Sequence, residues 1–116
     1  MARVIGGSTI GEGCFLDRDV VIGYPSGDEL PLLDGDREAE IAGATVGDDC
    51  TLRAGTLYSR ARLGSGVRSG HGWLVREDST VGDGCLIGTG VTIDNDCHVG
   101  DHCSLQTGVY IPSGSR

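Results

Sequence analysis

From Leu63 to Arg116 the chain divides into nine six-residue words: LGSGVR, SGHGWL, VREDST, VGDGCL, IGTGVT, IDNDCH, VGDHCS, LQTGVY and IPSGSR. The first letter is aliphatic in eight of the nine, with Ser69 the exception, and the fourth is Gly or Asp in eight, with His102 the exception. A six-residue period sustained this long specifies a parallel β-helix, in which each word supplies one short strand and one corner. Three words close one triangular coil, so eighteen residues separate positions that stack. The expected fold is all-β, a single domain over residues 1–116.

The period begins at once. Val4, Ile10, Leu16 and Ile22 lie six apart and account for about one coil. Residues 24–40, YPSGDELPLLDGDREAE, then carry two Pro, two Gly and six acids without any period. Such a stretch is expected to leave one corner as a surface loop that reaches a neighbouring subunit, flanks a cleft or is merely tolerated. Ile41 resumes the pattern, and Val46 opens the words VGDDCT and LRAGTL, followed by a five-letter YSRAR. The missing residue is therefore expected between Tyr58 and Leu63, and the solenoid is expected to have about five coils.

Strand alternation turns positions one and five inward. Position one is large and aliphatic. Position five must be small, because three faces converge on a narrow axis. All five cysteines, Cys14, Cys50, Cys85, Cys97 and Cys103, fall at position five and are expected to be reduced and buried as compact hydrophobes. No CxxC spacing supports a zinc site. Thr56 falls there too, as does Arg62 in the defective word. Trp73 breaks the size rule, and small Ser69 at the head of its own word is the expected compensation. Position four needs a residue tolerant of positive φ, which explains Gly and Asp. One Phe, one Trp and 21 Gly suit such an interior and no aromatic-filled one.

A net charge of −8, from 17 acids against nine basic residues, argues against a nucleic-acid partner. No apolar run approaches the ~20 residues of a membrane span, and MARVIGGSTIGEG lacks the apolar core of a signal peptide. The expected address is the cytoplasm. His98 and His102 read as solvated or interface residues. His71, at position three between Gly70 and Gly72, is an outward-facing candidate for chemistry, because flanking glycines let another chain or a ligand approach closely.

The run from LRAGTLYSRARLGSGVRSGHGWLVRE to SLQTGVYIP resembles the left-handed β-helix acyltransferases of the hexapeptide family. Within that family it is most similar to N-acetyltransferases of nucleotide-linked amino sugars. Left-handedness rests on this resemblance alone. The resemblance further implies a homotrimer with acetyl-CoA and a sugar-type acceptor in the groove between neighbouring β-helices, and no metal. In that family a corner histidine deprotonates the acceptor amine or hydroxyl, and His71 matches that role. A neutral imidazole, with a reference pKa of about 6.5, suits it. Arg76, Glu77 and Asp78 are placed to orient the acceptor or His71. Gln106, Thr107 and Tyr110 lie where the family holds the pantetheine arm. Arg53, Arg60, Arg62, Arg68 and Arg76 are reasonable partners for phosphates.

Two other readings share the fold. A γ-carbonic anhydrase-like enzyme needs three histidines facing one another across a subunit interface, whereas His71, His98 and His102 occupy positions three, six and four of their words. A truncated or degenerate module would have only a binding or structural role. Family members run on for several more coils, so a chain ending at Arg116 is expected to bind acetyl-CoA poorly and to self-associate through its last strand.

Overall fold

A computed structural model describes residues 2–116. It is a parallel β-solenoid, consistent with the left-handed hexad β-helix. Face one stacks the strands Arg3–Val4, Val20–Tyr24, Gly55–Tyr58, Trp73–Val75, Thr92–Ile93 and Tyr110–Ile111. Face two stacks Thr9–Ile10, Thr45–Val46, Arg62–Leu63, Thr80–Val81 and His98–Val99. Face three stacks Phe15–Leu16, Thr51–Leu52, Arg68–Ser69, Leu86–Ile87 and Ser104–Leu105. The path therefore makes five complete coils and enters a sixth. Its only α-helical segment among the described residues is the single turn Leu30–Asp34 in the loop, followed by a 3-10 turn at Glu38–Glu40.

The interior follows the expected frame. Leu52, Leu63, Val75, Val81, Ile87 and Ile93 at position one are all buried. At position five, Cys50, Cys85 and Cys97 are buried, and Cys14 and Cys103 are half-buried against the same core. All five thiols are free. Four of them also do something the frame does not demand. Each thiol donates to a position-two carbonyl of the following coil: Cys14 to Gly47 at 3.1 Å, Cys50 to Gly64 at 3.2 Å, Cys85 to Gly100 at 3.0 Å and Cys97 to Pro112 at 3.1 Å. Desolvation pushes the Cys50 and Cys85 thiols up, which keeps them protonated and able to donate.

The position of the missing residue differs from the expectation. Thr45 pairs with Arg62 and Thr51 with Arg68, each seventeen residues on, but Thr56 pairs with Leu74, eighteen on. The deletion therefore lies between Thr51 and Thr56, in the word LRAGT, and the next word is the full-length LYSRAR. Leu57 rather than Tyr58 takes position one and is buried. Ala61 rather than Arg62 takes position five and is buried, while Arg62 faces solvent. Thr56 likewise turns outward, and Gly55 takes the inward place.

This shift explains Trp73. Its register partner in the preceding coil is Gly55, and a Cβ at Gly55 would strike the indole ring. The large-for-small exchange therefore runs between coils, Trp73 against Gly55, and Ser69 has a different task. The buried Ser69 Oγ accepts the Arg53 amide at 2.9 Å, while the indole Nε1–H donates to the Arg53 carbonyl at 2.7 Å. A buried indole needs such an acceptor. The short corner, the glycine, the serine and the tryptophan form one device.

Gly55→Ala is expected to destabilise the protein by about 1–3 kcal/mol through overpacking. In a Trp73→Val background, where the column holds only small side chains, the same change is expected to cost little. Urea unfolding of the four proteins measures the coupling. Equal costs in both backgrounds would show that Trp73 and Gly55 do not share the space.

Candidate active site

The corner joining face three to face one presents Arg18, Arg53–Ala54, His71, Thr89 and Thr107 on successive coils. His71 is exposed on it. Its amide donates to Thr89 Oγ1 at 3.3 Å, and its carbonyl accepts from the Gly90 amide at 2.8 Å. The Gly72 amide reaches back to the Ala54 carbonyl at 2.6 Å. The backbone beneath the imidazole is thus held from both neighbouring coils. The imidazole itself makes no hydrogen bond or ion pair among the described residues.

The two flanking glycines have separate reasons. A side chain on Gly70 would collide with Thr89, whereas Gly72 meets open space and is required by its φ of 71°. Neither glycine by itself calls for a ligand. The free volume outside Gly72 does leave the corner accessible.

Gln106 and Thr107 lie on this same corner, two coils beyond His71, and both are exposed. Arg76, Glu77 and Tyr110 do not. Arg76 and Glu77 sit at the opposite edge of face one, on the corner that leads to face two, so within one chain they are not placed to orient His71. Arg76 Nε lies 2.9 Å from Glu77 Oε1, its Nη1 lies 3.6 Å from Asp94 Oδ1, and its guanidinium covers the Tyr58 ring at 5.1 Å. Tyr58 in turn packs against Tyr24 at 5.1 Å between ring centroids. Tyr110 projects from face one, and its hydroxyl donates to Asp94 Oδ2 at 2.6 Å. That bond, with the Asn95 amide and Arg76, holds the Asp94 carboxyl below its usual range, and the same bond to Asp94, with desolvation, raises the Tyr110 phenol. The sequence reading missed Thr89 and Asp94. Thr89 was recoverable, since it stands eighteen residues after His71.

Farther along the second corner, Arg60 clamps Asp78 with two hydrogen bonds, at 2.9 and 3.3 Å, and reaches Glu29 of the loop at 3.5 Å. The nearly buried Glu29 carboxylate accepts from the Ala42 amide at 2.9 Å, the Ser26 hydroxyl at 3.0 Å and the Ser26 amide at 3.2 Å. Desolvation pulls its pKa up, but these donors outweigh it and the net shift is downward. Glu29 latches residues 24–40 to the solenoid. The loop also carries an apolar hollow of about 530 Å³ lined by Gly27, Leu30, Pro31 and Leu33, which includes none of the candidate residues.

The five arginines read as phosphate partners separate accordingly. Arg60 and Arg76 are engaged by carboxylates, whereas Arg62 and Arg68 project from faces two and three, and Arg53 stands at the His71 corner. The histidines separate too: His98 is on a face-two strand, and His102 fills a corner with φ 57°. Among the described residues, no three His, Cys, Asp or Glu side chains within the chain gather as a metal site. No helix among the described residues is long and apolar enough to cross a membrane.

Residues 75–113 match the bacterial transferase hexapeptide family (six repeats), and residues 35–57 match the hexapeptide repeat of succinyl-transferase. No curated protein matches the chain. The similarity is to repeat families of transferases, and it points to acyl transfer as the class of activity. It leaves out residues 58–74, which include His71.

The Glu29 latch sets a pH dependence. A carboxyl whose folded pKa lies below its ordinary 4.5 contributes stability that is present above that value and lost as pH falls through the folded one. Limited proteolysis is expected to spare residues 24–40 at neutral pH and to cut them increasingly below about pH 4.5. Glu29→Ala is expected to expose the loop at every pH and to cost about 1–3 kcal/mol by orphaning buried donors. A loop equally resistant in wild type and variant would contradict the latch.

Proposed function

We propose that the protein is an acyltransferase that moves the acetyl group of acetyl-CoA to an amine or hydroxyl of a sugar-type small molecule, with a nucleotide-linked amino sugar as acceptor. The observation that carries this reading is His71: an unpartnered imidazole on a backbone fixed from both sides, in a chain whose repeats match transferase families. Thioester chemistry asks little else of the protein. His71 takes the proton of the attacking amine or hydroxyl as the new bond to the acetyl carbon forms. The tetrahedral oxyanion then collapses, the carbon–sulfur bond breaks, and the CoA thiolate leaves with a proton returned by the imidazolium.

A convex corner is half a binding site. The reading therefore includes a homotrimer in which a neighbour's surface completes the groove at each His71. Gln106 and Thr107, on the same corner, suit the pantetheine arm, with Tyr110 on the adjoining face. Arg76 and Glu77 stand across face one from His71, so they reach an acceptor at this site only from a neighbouring subunit.

His71→Ala is expected to lower CoA release about 10²–10⁴-fold, with the β-sheet circular dichroism spectrum unchanged. Mixing that variant with Glu77→Ala subunits under exchange conditions is expected to restore activity at roughly a quarter of the sites, because some interfaces then combine both intact residues. Full turnover by His71→Ala would remove it from the mechanism. An absence of recovery on mixing would place Glu77 outside the shared site.

A further inference from the structure

The device that breaks the repeat also aims an arginine. In an unbroken word the position-two amide donates to the position-one carbonyl of the next coil, as Gly70 does to Ile87 at 2.8 Å and Gly88 to Leu105 at 2.9 Å. At the short corner this bond is replaced. The Arg53 amide goes to Ser69 Oγ, and the carbonyl of Ser69, freed from the ladder, accepts Arg53 Nη1 at 2.8 Å. The Arg53 carbonyl is fixed by Trp73 Nε1, and the adjoining Ala54 carbonyl by the Gly72 amide. The guanidinium is thereby folded along the corner toward the next coil, onto a carbonyl two residues before His71.

A guanidinium carries five N–H donors, and one hydrogen bond to a carbonyl leaves the rest available. Among the described residues no carboxylate pairs with Arg53, unlike Arg60 and Arg76, and its side chain is exposed. The acids on this corner, Asp17 and Asp19, lie one coil back, beside the exposed Arg18. The strip is therefore ordered: Arg18 and Arg53 on the N-terminal side of His71, and Thr89, Gln106 and Thr107 on the C-terminal side.

We infer that Arg53 is an anion-binding residue that holds a phosphate group of the acceptor on the N-terminal side of His71. This deepens the acyltransferase reading and rests on it for the word acceptor, but the anion site stands on its own geometry. A planar donor fork with a fixed base suits a phosphate oxygen pair. It also orders the reaction in space, with the acceptor entering from the Arg53 side and the acyl donor from the Thr107 side.

The probe is inorganic pyrophosphate, with acetate as a carboxylate comparison, titrated into the full-length protein while the His71 Cε1–H resonance is followed by NMR. Pyrophosphate is expected to shift that resonance saturably. Affinity is expected to fall about tenfold or more in Arg53→Gln, to be intermediate in Arg53→Lys, and to be unchanged in Arg37→Gln, an exposed loop arginine already paired with Glu40. Unchanged Trp73 fluorescence checks that each variant keeps the pinned corner. Equal affinity in wild type and Arg53→Gln, a resonance that pyrophosphate does not move, or tighter binding of acetate would overturn the proposal. The two readings fail separately. A wild-type protein that binds pyrophosphate at Arg53 but releases no CoA with any acceptor tried sinks the transferase reading alone. Transferase activity whose KM for a phosphorylated acceptor is the same in Arg53→Gln sinks the anion site alone.

Discussion

The structure depends on the left-handed corner. Positive φ recurs at the fourth place of nearly every word, at Gly13, Asp49, Arg60, Gly66, Gly72, Asp78, Gly84, Gly90, Asp96, His102, Gly108 and Gly114. Glycine avoids the cost of this conformation, but for a residue with a Cβ it is about 1–2 kcal/mol, so the solenoid has to recover it at Asp49, Arg60, Asp78, Asp96 and His102. It does so through a second hydrogen-bond ladder. The amide of the corner residue donates to the third-place carbonyl one coil back: Asp49 to Glu12, Gly66 to Asp48, Gly84 to Ser65, His102 to Asp83, Gly90 to His71, Gly108 to Thr89. Strands of only two residues would be marginal alone. Bonded at the faces and again at the corners, the inner words are fixed to the words one coil before and one coil after them.

The side chains at one corner extend that ladder. Asp48, Asp83 and Asp101 each accept, through Oδ1, an amide of the preceding coil at 2.8 to 2.9 Å. Here the acidic character has a structural reason that net charge alone does not reveal. The same holds for the cysteines. Small volume selects them for position five, and the thiols of Cys14, Cys50 and Cys85 then supply a donor to the Gly47, Gly64 and Gly100 carbonyls at tight corners.

The frame was legible in the sequence because its two signals, an aliphatic first letter and a Gly or Asp fourth letter, report directly on burial and on φ. The deletion was not. In LRAGTLYSRAR both Leu57 and Tyr58 are credible first letters, and Gly55 imitates a fourth-place glycine six places before Ala61. Only the pairing of Thr56 with Leu74, eighteen residues on, and the indole resting over Gly55 decide between them. The His71 corner was legible in the eighteen-residue step, which puts Thr89 and Thr107 above it, but Thr89 was missed and Arg76 and Glu77 were placed there instead. The second corner did not follow. The Tyr110–Asp94–Arg76–Glu77 chain runs through long side chains that cross from one coil to the next, and their directions are set by rotamers rather than by the period.

A repeat whose words are interchangeable carries no address of its own. Any of its corners offers the same backbone, and a ligand has no reason to prefer one. Distinction arises only where the repeat is broken, and one break joins four departures in one place: the short word at 52–56, Gly55, Ser69 in a first position and Trp73 in a fifth. None is stable alone. Trp73 without Gly55 has no room, Gly55 without Trp73 leaves a void, and without Ser69 Oγ the Arg53 amide loses the acceptor that replaces its ladder bond. Together they satisfy one another, and they leave the guanidinium of Arg53 and the imidazole of His71 on adjacent coils of one rigid corner. The repeat-family match at 35–57 takes in the short word, Gly55 and Arg53, and the stretch before the match at 75–113 holds Ser69, His71 and Trp73, so the device joins words inside and outside the matched repeats.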